Sequence, residues 1–427
     1  MVITRSRFGA LFAAALLTID ALAGVATIEA SSTTEKAHMP RSLSILEFGG
    51  PNVLFAADQK QNRIYAFEIE NIPDSTRNLD ITPYNLVGFG SQLARYLETD
   101  PLGVTYHDLA VHPVTKVAFL SITVKTESGP RSELILVTPK GEIRSVDFRK
   151  LPFSSVPIGE TPDSDVTFWR DIPAAALSVT DFEFDDGILY IAGLSNGEFA
   201  STLRHVRYPF EDSVEMTSIE MFHTAHNQNE TRAPIRAMSI ATVDGRKTLI
   251  AAYTCTPLVT IPASDLSDGA HVVGKTIAEL GYGNTPLEVL TLTAYNLERQ
   301  PEEFVLVINR EMGANLIQME SLAKAPALNQ AFSGLGDTLG AHGTQVPFAG
   351  TLQADDQDPQ QILLLRRNID TGDVDLISSM KGVYFRLSDF VSEYTFPDYQ
   401  YSKSQEGTQK FHNMIKPIEG YADLVIK

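Results

Sequence analysis

A pattern of short apolar runs separated by turn residues recurs about six times between Leu46 and Met380. One copy reads Val53-Leu-Phe-Ala-Ala-Asp58, a short turn, and then Asn62-Arg-Ile-Tyr-Ala-Phe-Glu-Ile69. Each run has the length of a β-strand, and four such strands recurring every ~40–50 residues are typical of one blade of a β-propeller. The sequence therefore predicts an all-β propeller built from four-stranded antiparallel blades.

Turn residues between the runs indicate where blades fold back on themselves. Asp185-Asp186-Gly187 and Asp244-Gly245 each separate two alternating runs, and Asp-Gly in that position is a strong hairpin signal. We place six blades before Met380 and favour a seventh, composite blade that uses strands at residues 383–386 and 422–426. Pairing strands from both chain ends closes many propellers, because it removes an exposed edge. Counts of six or eight blades also fit the pattern.

Two segments between the blades are less regular. Residues 83–105 are expected to form a connector with a short helix at residues 91–97, where apolar residues fall three and four apart. Residues 149–178 form a long insertion rich in Pro, Ser and Asp. Loops of this length in a compact domain are usually functional or disordered.

The N-terminus has the features of a secretory signal. Arg5 and Arg7 precede an apolar stretch at residues 8–17, and Ala21-Leu22-Ala23 offers a small-residue cleavage site. We predict a signal peptide at residues 1–23, a flexible lead-in at 24–44 and a single propeller domain at 45–427. The protein is then periplasmic or secreted. The alternative is an uncleaved N-terminal anchor.

The chain is acidic, with 53 Asp and Glu residues against 34 Lys and Arg residues and a formal net charge of −19. This balance argues against nucleic acid as a partner and against anionic membrane surfaces, because both bind Lys- and Arg-rich faces. No later segment is long and apolar enough to suggest membrane insertion after signal removal. Cys255 is the one cysteine, so an intrachain disulfide is impossible.

The densest polar cluster is the segment from Phe222 to Arg236, between two predicted blades. His223, His226 and Glu230 are metal-ligand residue types, and two His three apart on a turn can converge on one ion. Arg232 and Arg236 are candidates for holding an anion. We expect this connection to cross one propeller face near the central channel. The alternative is a hydrogen-bonded loop that positions one blade on the next.

Five further positions are candidates for the same site. Asp108 and Asp181 begin the inner strands of two blades and either line the channel as metal ligands or pair with backbone amides of adjacent blades. Cys255 follows a buried strand and is either a metal thiolate or a small core residue. Asn196 and Arg204 belong to a polar segment that could face the ligand.

Part of the chain, from Asp108 to about Met319, resembles an exported bacterial propeller family without an assigned activity. The resemblance is carried by Asp108-Leu-Ala-Val111, Ala192-Gly-Leu-Ser-Asn196, His223-Thr-Ala-His226 and Ala251-Ala-Tyr-Thr-Cys-Thr-Pro-Leu258. More distantly the chain is similar to YVTN- and NHL-type propellers, whose blades have similar Asn-Arg-Ile-Tyr strands. The resemblance implies the fold and export, and it supplies no catalytic residue.

Two functions follow from these observations. In the first, an exported propeller binds a small ligand, a metal or a protein partner at one face. In the second, a metal-assisted hydrolase, lyase or oxidoreductase works in the central channel, with a divalent ion as cofactor. The second requires that at least three of its candidate ligands meet at one point; those ligands are Asp108, Asp181, His223, His226 and Cys255. Because we find no complete catalytic signature, we favour binding.

Overall fold

The computed structural model describes residues 38–69, 83–168, 171–210, 213–254, 257–295, 300–332, 334, 337–381, 396, 398 and 400. Residues 40–427 cluster as one compact unit, and residues 1–39 as another. The account below concerns the larger unit. The predicted signal peptide and the strands expected at residues 383–386 and 422–426 lie outside the described residues.

The described part of the larger unit is composed mainly of β-strands. Strands β1 to β9 are Leu46–Phe48, Val53–Asp58, Arg63–Glu68, Asn85–Leu86, Val104–Val111, Ala118–Thr126, Gly129–Val137, Ile143–Val146 and Phe153–Pro157. Strands β10 to β19 are Thr167–Phe168, Ile172–Pro173, Asp181–Asp185, Ile188–Leu194, Ser201–Arg207, Glu215–His223, Gln228–Glu230, Ile235–Val243, Arg246–Tyr253 and Pro257–Pro262. Strands β20 to β28 are His271–Glu279, Pro286–Tyr295, Pro301–Asn309, Ala314–Gln318, Leu339–Gly340, Gly343–Val346, Thr351–Asp358, Gln361–Arg367 and Val374–Met380.

Helices are short by comparison. The α-helices are α1 (Phe89–Tyr96) and α2 (Met319–Lys324), and the 3₁₀ turns are Pro101–Gly103, Phe148–Lys150, Ala174–Leu177 and Ala263–Asp265. The helix predicted at residues 91–97 is confirmed as α1, which buries Phe89 and Leu93 completely. No described helix is long and apolar enough to cross a membrane.

Six four-stranded antiparallel blades account for most of these strands. From the innermost to the fourth strand they are blade 1 (β1-β2-β3-β9), blade 2 (β5-β6-β7-β8), blade 3 (β12-β13-β14-β15), blade 4 (β17-β18-β19-β20), blade 5 (β21-β22-β23-β25) and blade 6 (β26-β27-β28-β4). The fourth strands of blades 3 and 4, β15 and β20, pair in parallel and merge these two blades into one ten-stranded sheet that also includes β16 and β24. The hairpins predicted at Asp186-Gly187 and Asp244-Gly245 are confirmed, with positive φ at all four residues.

The innermost strands contact one another in a closed cycle, in the blade order 2, 1, 3, 4, 5, 6 and back to 2. Six apolar clusters lie between neighbouring blades, one at each junction of this cycle. Burial of apolar side chains therefore holds the ring together on every side. The described inner strands form a closed cycle of six, and the strands expected for a seventh, composite blade lie outside the described residues.

Ring closure uses two strands that come from the segments between blades. The connector at residues 83–105 supplies β4, the fourth strand of blade 6, through the pairs Leu376↔Leu86 and Ile377↔Asn85. The insertion at residues 149–178 supplies β9, the fourth strand of blade 1. Both segments are thus part of the propeller framework, and blade 6 is the composite blade.

Candidate functional site

A β-hairpin at the end of blade 3 brings the three metal-ligand candidates together. His223 ends β15, His226 lies in the following turn, and Glu230 ends β16. The pairs His223↔Gln228 and Met221↔Glu230 place the side chains of His223 and Glu230 on the same face of the hairpin. Because Asn227 adopts a left-handed conformation, with φ of 53°, the turn can close within four residues.

Glu230 is the centre of this group. Its Oε2 lies 3.0 Å from Nδ1 of His223, its Oε1 lies 2.5 Å from Nδ1 of His226, and Nε2 of Gln228 donates to Oε1 at 3.0 Å. One potential ligand atom from each of His223, His226 and Glu230 lies within 4.8 Å of the other two. Across the described residues, no other group of three His, Cys, Asp or Glu side chains meets this condition.

A fourth side chain, the carboxylate of Glu279, reaches the group from blade 4. Oε1 of Glu279, at the end of β20, accepts hydrogen bonds from the backbone N–H and the hydroxyl of Thr224, at 3.0 and 2.9 Å. Its Oε2 lies 3.9 Å from Nε2 of His223. His223 is 2% exposed, and this Nε2 has no hydrogen-bond partner in the described structure. A buried imidazole nitrogen therefore points toward the carboxylate of a neighbouring blade.

The pKa values of the two carboxyl groups shift in opposite directions. Partial burial raises the pKa of Glu230, but hydrogen bonds from Gln228, His223 and His226 outweigh burial, so its pKa is lower than usual. Burial raises the pKa of Glu279 above its usual range, although the hydrogen bonds from Thr224 and the nearby His residues oppose this rise. Glu230 is thus an anionic centre at neutral pH.

Imidazole nitrogens combined with carboxylate oxygens suit Zn²⁺ and related transition-metal ions. In the structure, both histidine Nδ1 atoms instead share the carboxylate of Glu230. An ion at this point would replace these hydrogen bonds, and the ring nitrogens that bind it must be free of protons. Metal binding here would therefore release protons and strengthen as the pH rises. The same contacts without an ion form the hydrogen-bonded loop that the sequence left as the alternative.

The position of this group differs from the sequence expectation. His223 and Glu279 lie on the fourth strands of blades 3 and 4, β15 and β20, so the cluster belongs to the outer part of the ring. The expectation of a site near the central channel is corrected, because the chain turns back into β16 before it reaches the next inner strand. The cluster bridges two blades at their shared outer seam.

Asp108 and Asp181 lie on inner strands, as expected, and their side chains pair with backbone amides of adjacent blades. Oδ2 of Asp108 accepts the backbone N–H of Leu46 at 2.7 Å, and Oδ2 of Asp181 accepts that of Met238 at 2.6 Å. Each bond joins one blade to the next. Asp355 repeats the arrangement with Val111, at 2.6 Å.

These aspartates belong to a larger acidic lining of the central channel, where a cavity of about 190 Å³ lies between the inner strands. Sequence reasoning missed the other acidic residues of the lining, among them Glu47, Glu183, Glu288 and Asp355. Each side chain is surrounded by protein yet keeps some accessible surface, because the cavity has room for water. The available signal was an acidic residue inside an apolar inner strand, as in Leu46-Glu47-Phe48.

Burial raises the pKa of every carboxyl group in this lining. The pKa of Asp108 rises to about 7 despite the hydrogen bonds from the Leu46 and Leu109 N–H groups. The pKa values of Glu183 and Asp355 rise to about 8. Burial together with the neighbouring carboxylates also raises the pKa values of Glu47, Asp181 and Glu288. The lining therefore holds protons near neutral pH.

Arg204 is not available to a ligand, which corrects its place among the ligand candidates. It is 1% exposed, and its guanidinium donates to the main-chain carbonyls of Ser178, Gly159, Glu160 and Leu194 at 3.1 to 3.3 Å. These acceptors belong to blade 3 and to the segments that precede it. Arg204 thus fixes loops onto the blade.

The remaining candidates are dispersed. Asn196 and Arg232 are exposed, and Arg236 is half-buried on the inner strand β17. Cys255 lies outside the described residues. Among the candidates for a channel enzyme, Asp108 and Asp181 lie in the channel whereas His223 and His226 lie at the outer seam, so these four do not meet at one point.

Gly193-Leu-Ser-Asn-Gly197 has the Gly-x-Ser-x-Gly spacing of a hydrolase nucleophile elbow. An elbow joins a strand to a helix, whereas this segment leads from β13 into the antiparallel strand β14. Ser195 is 4% exposed, and its Oγ accepts the backbone N–H of Gly197 at 3.2 Å. The segment is therefore a structural turn.

Comparisons with known proteins add little to this geometry. No protein-family model and no curated protein sequence matches the chain. Among solved structures, Drosophila Semaphorin 1b extracellular domains 1-2 match with a TM-score of 0.35 and 9% identity, over 79% of this chain and 84% of that one. Trypanosoma rangeli sialidase in complex with sialic acid matches with a TM-score of 0.33 and 7% identity, over 79% of this chain and 54% of that one. Virginiamycin B lyase from Staphylococcus aureus matches with a TM-score of 0.29 and 6% identity, over 79% of this chain and 95% of that one. The propeller assignment rests on the strand pairing described above, and the family resemblance stays a prediction.

Proposed function

We propose that this protein is an exported metal-binding propeller whose site lies at the seam between blades 3 and 4. His223, His226 and Glu230 would hold one divalent transition-metal ion. The observation that carries the proposal is the mutual approach of three ligand atoms within 4.8 Å in one hairpin. The carboxylate of Glu230 supports it, because it already contacts a ring nitrogen of each histidine.

The donor set favours a particular class of ion. Two nitrogen donors and one or two carboxylate oxygens suit Zn²⁺, Cu²⁺ or Ni²⁺, whereas Ca²⁺ and Mg²⁺ prefer oxygen ligands throughout. An ion held by three side chains also keeps a coordination position open to a small molecule. We therefore place ligand binding at this ion. Glu279 is positioned to hold the imidazole of His223 through Nε2, or to join the ligands after a small rotation.

The test is Zn²⁺ binding to protein purified without a histidine tag, measured by competition with a chromophoric chelator. We expect one equivalent of Zn²⁺ for the unaltered protein and at least ~100-fold weaker binding for His226→Ala, because one of three ligands is lost. His226 is exposed, so this change should leave the fold intact.

A matched control lies on the same pair of strands. His271 of β20 contacts Glu220 of β15 through Nε2 and Oε2 at 3.0 Å, but it belongs to no group of three ligands among the described residues. His271→Ala should bind Zn²⁺ as the unaltered protein does. If the unaltered protein bound no Zn²⁺, or if both variants lost it equally, the site would be a hydrogen-bonded loop only.

Export is a separate part of the proposal, and its support is the signal-like segment at residues 1–23. Cleavage after Ala23 would give a mature chain that begins at Gly24. N-terminal sequencing of protein recovered from the periplasm or the medium tests this. A protein retained in the cytoplasm with residue 1 intact would contradict export without affecting the metal site.

A further inference from the structure

Arg236 occupies an unusual position at one end of the central channel. It is the second residue of β17, the inner strand of blade 4, and the pairing of β17 with β18 shifts register between Ile235 and Ala237. Such a bulge re-aims the side chain at its centre. The neighbouring inner strand β12 begins close by at Asp181, so Arg236 lies at the end of the channel where these strands begin, which we call the channel mouth.

The guanidinium of Arg236 has no partner among the described residues. Its Nε is buried without a hydrogen-bond acceptor, and no ion pair of Arg236 is found among the described residues. Asp181 is the acidic residue that acts electrostatically on Arg236, but its Oδ2 accepts the N–H of Met238 and burial raises its pKa. Burial and the charge of Arg310 lower the pKa of Arg236. A partly desolvated cation without a counter-ion is costly, which indicates a missing anion.

A second arginine lies at the same mouth. The backbone N–H of Arg310 donates to Thr285, just before the inner strand β21, and its carbonyl accepts the N–H of Gly350, just before the inner strand β26. Its side chain is exposed and makes no hydrogen bond or ion pair in the described part of the chain. Arg310 acts electrostatically on Arg236, so two positive charges lie at the same channel mouth and together favour a negatively charged group.

We propose that Arg236 and Arg310 bind the oxyanion group, phosphate or carboxylate, of a small molecule at the channel mouth. The planar guanidinium fork matches such groups with two parallel hydrogen bonds. The rest of the molecule would face the proton-bearing carboxyl groups of the lining, which can both donate and accept hydrogen bonds. This site is distinct from the metal site, because innermost and fourth strands of a blade are ~14 Å apart at ~4.8 Å per strand.

The proposal is tested by isothermal titration of inorganic phosphate, and separately of acetate, into EDTA-treated protein at pH 7 and low salt. We expect saturable binding of at least one of them, and the stronger ligand identifies the head group. Arg310→Gln should weaken it by ~10-fold or more, since a charge-assisted bidentate contact is lost. Because Arg310 is exposed, this variant should fold. Arg236→Lys keeps the charge without the fork, and it should also bind more weakly.

Two controls make the result specific. Arg232→Gln removes an exposed arginine four residues before Arg236 and should leave the affinity within a factor of about two, as expected for a charge outside the site. His226→Ala should not change anion binding, whatever the fate of the metal site. The absence of saturable binding by the unaltered protein, or equal affinity in Arg310→Gln, would overturn the proposal.

Discussion

Buried ionisable side chains inside this propeller hydrogen-bond to main-chain groups more than they pair with opposite charges. Arg204 donates to four carbonyl oxygens, and Asp108, Asp181 and Asp355 each accept a backbone N–H from a neighbouring blade. Hydrogen bonds from a charged group such as the Arg204 guanidinium contribute ~1.5–3 kcal/mol each, more than neutral ones. Removing one partner also leaves the other buried and unsatisfied, so these positions should be sensitive to substitution.

Arg204→Lys tests this at one residue. A lysine ammonium cannot reach carbonyls of Ser178, Glu160 and Leu194 at once, so buried acceptors would lose their donors. We expect the free energy of unfolding to fall by about 3–5 kcal/mol in urea titrations. Arg207→Lys is the matched control, because Arg207 lies on the same strand and is exposed. Equal stability of the two variants would show that the carbonyl contacts of Arg204 contribute little.

At the candidate metal site, the sequence could identify the residues of one hairpin but not their surroundings. His223, His226 and Glu230 lie within eight consecutive residues, so their grouping is visible in the chain. Glu279 comes from another blade about fifty residues later, and only the parallel pairing of β15 with β20 brings it near. The placement at the outer seam also depends on that pairing, which has no local sequence signal.

Among the elements, long alternating strands were predictable and short closing strands were not. The hairpins at Asp186-Gly187 and Asp244-Gly245 follow from residues that tolerate positive φ, so blades 3 and 4 could be located. Strand β4 has two residues, and its partner β28 lies about 290 residues away. A two-residue strand carries no periodicity, and a long-range pair carries no local signal. The strand that completes blade 6 could not be located from the sequence for this reason.

Tyr84 tests how firmly β4 closes the ring. It is fully buried just before β4, its hydroxyl accepts the N–H of Ala118 at 2.9 Å, and the carbonyls of Lys116 and Val137 lie within 2.9 Å. Tyr84→Phe leaves these groups of blade 2 without their partner, so we expect a loss of about 1–3 kcal/mol in urea unfolding.

The matched control is Tyr282→Phe, because Tyr282 is 66% exposed and loses only a solvated hydroxyl. Its unfolding midpoint should stay within experimental error of the unaltered protein. If Tyr84→Phe also left the unfolding midpoint unchanged, the hydroxyl would not link the closing strand to blade 2. Closure would then depend on the apolar cluster at that junction.

On the scale of the whole molecule, the closed ring concentrates acidic side chains at its axis. The inner strands β1, β5, β12, β21 and β26 each contribute at least one carboxyl group with a raised pKa. A carboxyl group that is protonated in the folded ring but ionised in the unfolded chain favours folding at low pH. The unfolded chain then binds fewer protons than the folded one, so stability decreases as the pH rises.

The pH range over which stability decreases follows from the pKa values. It begins above the ordinary carboxyl range near pH 4 and ends near the folded-state values of about 7 for Asp108 and about 8 for Glu183 and Asp355. Within it, each such group lowers the free energy of unfolding by ~1.4 kcal/mol per pH unit. We expect urea unfolding in EDTA to show a more stable protein at pH 6 than at pH 8.5.

Asp108→Asn identifies one contributor to this slope. Asparagine cannot ionise, yet its Oδ1 can still accept the Leu46 N–H, so the link between blades 1 and 2 is kept. Between pH 5 and 7, the free energy of unfolding of this variant should fall less steeply with pH, by up to ~1.4 kcal/mol per pH unit. Asp265→Asn, at an exposed position, should leave the slope unchanged. A stability that stays constant or increases from pH 6 to 8.5 would mean that the channel carboxylates are ionised in the folded ring, with water or a cation compensating their charge.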